Sequence, residues 1–349
     1  MSEEQLTVKT VWSKHFIDSG VPKPDDFEIV ETKISQEISD GEMIIQVQVM
    51  SVDPYLRGML KSKNSPESRK TMKGFVAGKI LKSKNESWKV GDYFGASLPF
   101  STYQLITPTT LATTVFWKLT GMVDDSTVSR GIGALGMPGS TAYGGLIDVL
   151  KPNQGETLFV SAASGAVGSL VGQIAKIHGV KTIIGSCGGE SKGKTIVQEF
   201  GYTNSIDYKK LQTAEELRQE ILKVDEKGID MYFENVGGIH FDAAMSCLKA
   251  KGRIAVCGTI SSYNDAKPPK NMVDISDMIY KNQRIEGFMC MPWLTGQRGN
   301  FLKDMFEWIQ DGKINVRETF VEGVDQWPNA FCSLYKSGTS HIGKLVVKV

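Results

Sequence analysis

From Thr157 onward the chain alternates short apolar runs with amphipathic ones, and this alternation constrains the fold more than any other feature. "TLFVSAA" (157–163) reads as a buried strand, "GAVGSLVGQIAKIHG" (165–179) as a helix closed by Gly179, and "KTIIGSC" (181–187) as a second strand. The pattern continues with helices at "KGKTIVQEFG" (192–201) and "AEELRQEILKV" (214–224), the second carrying Leu217, Ile221 and Leu222 on one face. "GIDMYFENVGG" (228–238) is another buried strand, "FDAAMSCLKAKG" (241–252) a helix, "RIAVCGT" (253–259) a strand and "QRIEGFMC" (283–290) the last. Strands apolar on both faces, spaced by helices, require a parallel sheet covered on each side, and hence a doubly wound α/β unit.

The part before it has a different texture. "EMIIQVQVMSV" (42–52) alternates apolar and polar residues, as a strand with one buried face does, and "GFVAGKILKS" and "VGDYFGASL" add short apolar runs suited to a small barrel. "GIGALGMPGSTAYGGL" (131–146) is glycine-rich and turn-prone, and "LKPNQGE" (150–156) reads as a turn. After a last helix, "FLKDMFEWIQDGKI" (301–314), a β-like tail, "HIGKLVVKV" (341–349), is expected to return to the first part. The expected division is a β-rich substrate domain over 1–128, completed by 309–349, around a dinucleotide-binding domain over 129–308.

The 349 residues suffice for two such cores, and a net charge of +1 gives no field for steering onto nucleic acid. No basic–aromatic stripe interrupts that reading. The N-terminus is acidic and polar rather than signal-like, and no apolar run approaches the roughly 20 residues that span a bilayer. A cytoplasmic protein without membrane insertion is expected. The five cysteines are odd in number, scattered and free of CxxC pairs, so they read as small buried hydrophobes rather than disulfide or zinc ligands.

The turn from the first strand of the α/β unit into its helix follows A-x-x-G-x-x-G, with Ala162, Gly165 and Gly168. Such a turn brings backbone N–H groups and the positive end of a helix onto a pyrophosphate. Dinucleotide sites for NAD place a carboxylate about 20 residues on, at the end of the second strand. Here that strand end reads Gly185-Ser186, uncharged, and Lys192 and Lys194 follow. A lysine suits a 2′-phosphate that a carboxylate would repel, so NADPH/NADP is the expected cofactor. No cysteine precedes Cys187, and the one early histidine, His15, lies near the N-terminus, so the ligands for zinc-assisted alcohol oxidation are missing from the sequence.

"SVDPYLRGM", "GMPGSTAYGGL", "AASGAVGSLVGQIAKIHG", "YFENVGG", "RIAVCGTISSYN" and "GKLVVKV" together resemble the zinc-independent medium-chain dehydrogenase/reductases. More narrowly they are similar to the branch of prostaglandin reductase, leukotriene 12-hydroxydehydrogenase and plant alkenal double-bond reductase, in order and over nearly the whole chain. "DPYLR" and "ISSYN" are its specific parts. The resemblance implies a Rossmann-type domain beside a GroES-like barrel, a homodimer, and NADPH-dependent reduction of the C=C bond in lipid-derived enones or enals. It places the pyrophosphate on Gly165, Ala166, Val167 and Gly168, and the 2′-phosphate on Lys192, with Lys194 as the alternative, beside Tyr208. It lines the rest of the cofactor with Asn235, with Cys257, Gly258, Thr259, Ile260, Ser261, Ser262 and Tyr263, and with Phe288, Met289 and Cys290. Met137 and Thr141 fall near the nicotinamide, and His341 stands where the family usually has Asn before "GK".

Hydride addition to the β-carbon of an enone puts negative charge on the carbonyl oxygen, and without a metal that charge must be met by hydrogen-bond donors. Tyr263 is the candidate donor, Tyr55 a catalytic-pocket wall, and Trp293 a residue of the apolar entrance. The rival expectations are an NADPH quinone reductase and a cofactor-binding protein without catalysis.

Overall fold

A computed structural model describes residues 5–336 and 338–349. Two compact units divide them, one running to Gly136 and taking in Glu318–Thr339 and Leu345–Val349, the other made of Met137–Arg317 with Ser340–Lys344.

The first unit is β-rich. Its larger sheet follows the order Glu318–Glu322, Lys344–Lys348, Met43–Ser51, Lys73–Ser83, Tyr93–Pro99, Phe116–Lys118, with Tyr103–Ile106 also pairing on Met43–Ser51. The C-terminal strand does return, pairing antiparallel with Val346 opposite Ser51. Trp327, on the helix Trp327–Ser333, is fully buried against Phe27, Phe100 and Phe331, and its indole N–H reaches the Ser51 carbonyl at 3.0 Å. The "DPYLR" stretch forms the 3-10 turn Pro54–Leu60. Arg57 is fully buried and donates to the carbonyls of Ile17 (2.6 Å) and Gly20 (3.1 Å), while Asp53 is buried beside the Ser51 hydroxyl. These two charged residues therefore fasten the turn, and Tyr55 is the side chain it leaves exposed.

The second unit is a six-stranded sheet in the order Asn204–Asp207, Thr182–Cys187, Thr157–Val160, Ile229–Glu234, Leu248–Val256, Arg284–Gly287, every pair parallel. The chain steps outward from Thr157–Val160 to one edge, then returns and steps to the other. The reversal point thus lies between Thr157–Val160 and Ile229–Glu234, where open α/β sheets bind ligands beyond the carboxyl ends of their strands. Helices Gly168–Ile177, Glu190–Glu199, Ala214–Val224 and Ile239–Ser246 connect the strands. Ala214–Val224 begins with a capping box, Thr213 accepting from the Glu216 N–H and Glu216 reaching back to the Thr213 N–H. Its inward Leu217 and Ile221 join Phe159, Ile184 and Tyr232 in one core.

The stretch 131–146, expected to turn, is largely helical: Met137–Tyr143 runs into a π-helical segment, Gly144–Leu150. Its glycines serve close packing. A Cβ on Gly144 would lie 2.3 Å from the Trp293 ring, and one on Gly145 would lie 2.4 Å from Phe288. Among the described residues no helix is long and apolar enough to cross a membrane.

Candidate active site

The turn after Thr157–Val160 is built for backbone to meet a ligand. A Cβ on Gly168 would stand 2.4 Å from the Ala162 carbonyl oxygen and 2.7 Å from the Ala163 Cα, so only glycine lets the helix start this close to the turn. Ala162 itself sits at φ +51°, a left-handed conformation that costs an alanine about 1 kcal/mol. Gly165, Ala166 and Val167 are half-buried, and among the described residues no acceptor faces the N–H groups of Ala166 and Val167. These donors stand at the N-terminus of Gly168–Ile177, the arrangement that holds a pyrophosphate. From the C-terminal segment the Gly343 N–H bonds to the Ser164 carbonyl at 2.8 Å and pins the loop from the other side.

Toward the Thr182–Cys187 side the site is cationic. The strand runs to Cys187, past the expected end at Gly185-Ser186, and Ser186 is not presented to a ligand: it is fully buried, its hydroxyl 2.9 Å from His240 Nε2. Burial lowers the His240 pKa to about 4, so this imidazole is neutral. Asp207 is occupied by backbone, accepting from the N–H groups of Gly189 (2.8 Å) and Lys209 (3.2 Å). Lys192 is half-buried, and its pKa is lowered first by burial and then by the charge of Lys209. His341 is lowered by burial and then by Lys192. Lys192 and Lys209 thus repel one another, with the uncharged His341 beside Lys192, and a bound dianion would relieve that repulsion. Tyr208 stands beside it, its hydroxyl 3.3 Å from where a Gly188 Cβ would be. Lys194 faces away from this group in an exposed ion pair with Glu190 at 2.7 Å.

Across the reversal point two loops are stitched together. Cys257 and Gly258 donate to the Glu234 carbonyl (2.9 and 3.1 Å), Ile260 to that of Asn235 (3.2 Å) and Ser261 to that of Val236 (3.0 Å). Asn235 donates through its side chain to the Ser161 carbonyl at 2.7 Å, tying this loop to the phosphate turn. The Tyr263 ring folds back over Gly258, and its hydroxyl accepts from the Thr259 N–H at 3.4 Å. Burial raises its pKa, which keeps the phenol protonated and its O–H available to donate. Phe288 stacks edge-on against Phe233 and Trp293, Met289 is exposed and Cys290 buried. Thr141 turns its hydroxyl back to the Met137 carbonyl at 2.7 Å. Trp293 is a packing residue rather than an entrance wall: it is 2% exposed, lies on Gly144 and donates to Asp148.

Sequence reasoning passed over Glu234, whose carboxyl is wholly buried at the end of its strand. A glutamate closing an otherwise apolar strand, next to Asn235, was the available signal.

A family model described as "Zinc-binding dehydrogenase" matches residues 166–310, and one described as "N-terminal domain of oxidoreductase" matches 11–114. Prostaglandin reductase 1 of Bos taurus is 35% identical over 96% of this chain and 97% of its own. The 2-alkenal reductase (NADP(+)-dependent) of Nicotiana tabacum is 34% identical over 99% and 98%. The crystal structure of CurA from Vibrio vulnificus in complex with NADPH superposes with a TM-score of 0.84 at 33% identity, covering 98% of this chain and 99% of that one.

The chain belongs to the zinc-independent medium-chain dehydrogenase/reductases, in the prostaglandin reductase and 2-alkenal reductase branch.

The CurA neighbour was solved with NADPH, the cofactor the sequence leads one to expect here. The residues present fit it: glycine backbone for the pyrophosphate and a half-buried lysine cluster on the side where a 2′-phosphate would lie. Among the described residues no three His, Cys, Asp or Glu side chains gather as a metal site.

Proposed function

We infer that the chain reduces the C=C bond of α,β-unsaturated ketones or aldehydes, of the 15-oxoprostaglandin or 2-alkenal type, with NADPH. The observation that carries this reading is full-length similarity, 34% identity over 99% of the chain, to a 2-alkenal reductase, joined to a turn and lysine cluster that fit NADPH. In this reading Gly165–Gly168 bind the pyrophosphate, and Lys192, supported by Lys209, Tyr208 and His341, binds the 2′-phosphate. Asn235, Cys257–Tyr263, Phe288–Cys290, Met137 and Thr141 line the nicotinamide end. When bound, NADPH would supply a hydride to the β-carbon of the enone, and the α-carbon of the resulting enolate would take its proton from water. The Tyr263 O–H then donates to the carbonyl oxygen as negative charge develops there, with Thr259 N–H steadying the phenol from behind. Tyr55 on its exposed turn serves as a wall for the substrate. The β-rich unit is the substrate domain.

Tyr263→Phe removes the donor and little else. The expected result is a fall in kcat with a 2-alkenal of about 100-fold or more, with the KM for NADPH within about twofold of wild type. Following NADPH absorbance and identifying products by mass, with an enal, a 15-oxoprostaglandin and a quinone, checks it. An unchanged kcat would remove Tyr263 from catalysis, and turnover of the quinone alone would make the protein a quinone reductase.

A homodimer completes this reading. The edge strand Arg284–Gly287 has one sheet neighbour, and Met272, Ile275, Ile279 and Tyr280 expose an apolar face of 65% or more each, suited to a second copy of the same unit. Light scattering should give twice the chain mass, and Ile279→Glu combined with Tyr280→Glu should give a monomer that still binds NADPH. A wild-type monomer would discard the dimer. A cytoplasmic location suits five cysteines, all free thiols.

A further inference from the structure

Glu234 is the one carboxyl group completely buried among the described residues of the site, and the reduction chemistry above does not use it. Its Oε1 accepts four hydrogen bonds: from the Val236 N–H (2.6 Å), the Tyr232 hydroxyl (2.7 Å), the Gly237 N–H (2.9 Å) and the Ser161 hydroxyl (3.1 Å). Its Oε2 is buried with no partner among the described residues. Two of the four donors are backbone N–H groups, which favour the ionised form. Burial raises its pKa and the four donors pull it back, so as a carboxylate it holds its charge on Oε1 and leaves Oε2 without a partner, an expensive object to bury unless something else meets its charge.

Its position says what. Glu234 closes the first strand beyond the reversal point, where the second half of a dinucleotide lies. Its backbone carbonyl holds Cys257 and Gly258, its side chain holds Val236 and Gly237, and Asn235 between them is fastened to Ser161. Burial first, and the Glu234 charge after it, raise the Cys257 thiol and the Tyr263 phenol, which places the carboxyl near both. Hydride donation changes the nicotinamide ring from neutral to positively charged. A fixed buried carboxylate near that end discriminates between the two rings, whereas a merely structural scaffold does not.

We propose that Glu234 is a positioning residue for the nicotinamide-binding loops whose buried negative charge also favours the oxidised, cationic ring over the reduced one, so that the protein binds NADP more tightly than an uncharged site of the same shape would. This rests on the NADPH reading above.

Glu234→Gln keeps an acceptor at Oε1 and removes the charge. Dissociation constants for NADP and NADPH, measured by fluorescence quenching or calorimetry, are expected to separate: about a tenfold loss for NADP with a change of about twofold or less for NADPH. Glu234→Asp retains the charge on a shorter arm, so both affinities fall while their ratio stays near wild type. Should the glutamine chain fail to fold, Glu234→Asp against Glu234→Asn repeats the comparison with and without charge at one side-chain size. Equal losses for both redox forms in Glu234→Gln would leave a scaffold role and overturn the electrostatic one, and no change in either would overturn both. Binding of 2′,5′-ADP, which lacks the nicotinamide half, is expected to be the same in wild type and variants. A wild type that binds neither 2′,5′-ADP nor the dinucleotides would overturn the cofactor reading itself, and this inference with it.

Discussion

Gly168→Ala is expected to abolish useful cofactor binding, with the dissociation constant for NADPH rising by about 100-fold or more, near 2.7 kcal/mol. The new methyl would stand 2.4 Å from the Ala162 carbonyl oxygen, 2.7 Å from the Ala163 Cα and 3.0 Å from the Ala163 carbonyl carbon. All three are backbone atoms, so no side chain can swing aside, and the whole turn must retreat from the helix. That turn is already held at several points. The Ala163 N–H bonds to the Ser186 carbonyl, the Gly165 N–H to that of Ala162, and the Gly343 N–H to that of Ser164. Retreat would break some of these bonds and re-aim the N–H groups of Ala166 and Val167, which is where a pyrophosphate would feel it. Gly165→Ala is the internal control. Its methyl meets only the Ala162 carbonyl oxygen, at 3.2 Å, and a shift of a few tenths of an ångström accommodates it. Titration of both variants with NADPH should rank them, Gly165→Ala losing about tenfold or less. Equal affinities for Gly168→Ala and wild type would show that the turn does not carry the phosphates.

The same comparison shows what a sequence can reveal and what it cannot. The helix Ala214–Val224 is legible to the residue, because its cap and its inward leucine and isoleucine are local facts. Likewise the strands of the parallel sheet read as apolar runs because both of their faces are covered. The stretch 131–146 misled because its glycines read as turn residues, whereas Gly144 and Gly145 answer to Trp293, Phe288 and Phe233, residues some 90 to 150 positions away. The edge strand Asn204–Asp207 escaped notice because it is four residues long and largely exposed, with Ile206 its one buried side chain. In the site, the glycine turn was legible from spacing alone. The Ser161–Tyr232–Glu234 network was not, since it forms only when the ends of two strands far apart in sequence come side by side. Nor does spacing choose between Lys192 and Lys194. Two residues apart on one helix they point about 200° apart around its axis, and which of them faces the strand ends is decided by how the helix packs.

That packing makes the choice testable. Lys192→Ala should raise the KM for NADPH by about 30-fold while leaving that for NADH within about twofold, since one charge-assisted contact to a 2′-phosphate is worth about 2 kcal/mol and NADH has no such phosphate. Lys194→Ala should change neither, because its ammonium is paired with Glu190 on the outer side of the helix. The electrostatics sharpen the expectation. With Lys192 and Lys209 repelling one another, the protein without cofactor carries repulsion that a dianion relieves, so the contact should weaken as added salt screens it. Steady-state kinetics with both nucleotides at low and high ionic strength should therefore show a salt-dependent preference for NADPH in wild type and Lys194→Ala. In Lys192→Ala the preference should be small and nearly insensitive to salt. If the roles came out reversed, the Glu190–Lys194 pair would have to open on binding and the half-buried Lys192 would be a packing residue. If neither lysine mattered, selection for the 2′-phosphate would fall to Lys209, Tyr208 and His341, and Lys209→Ala would then be the variant in which the preference disappears.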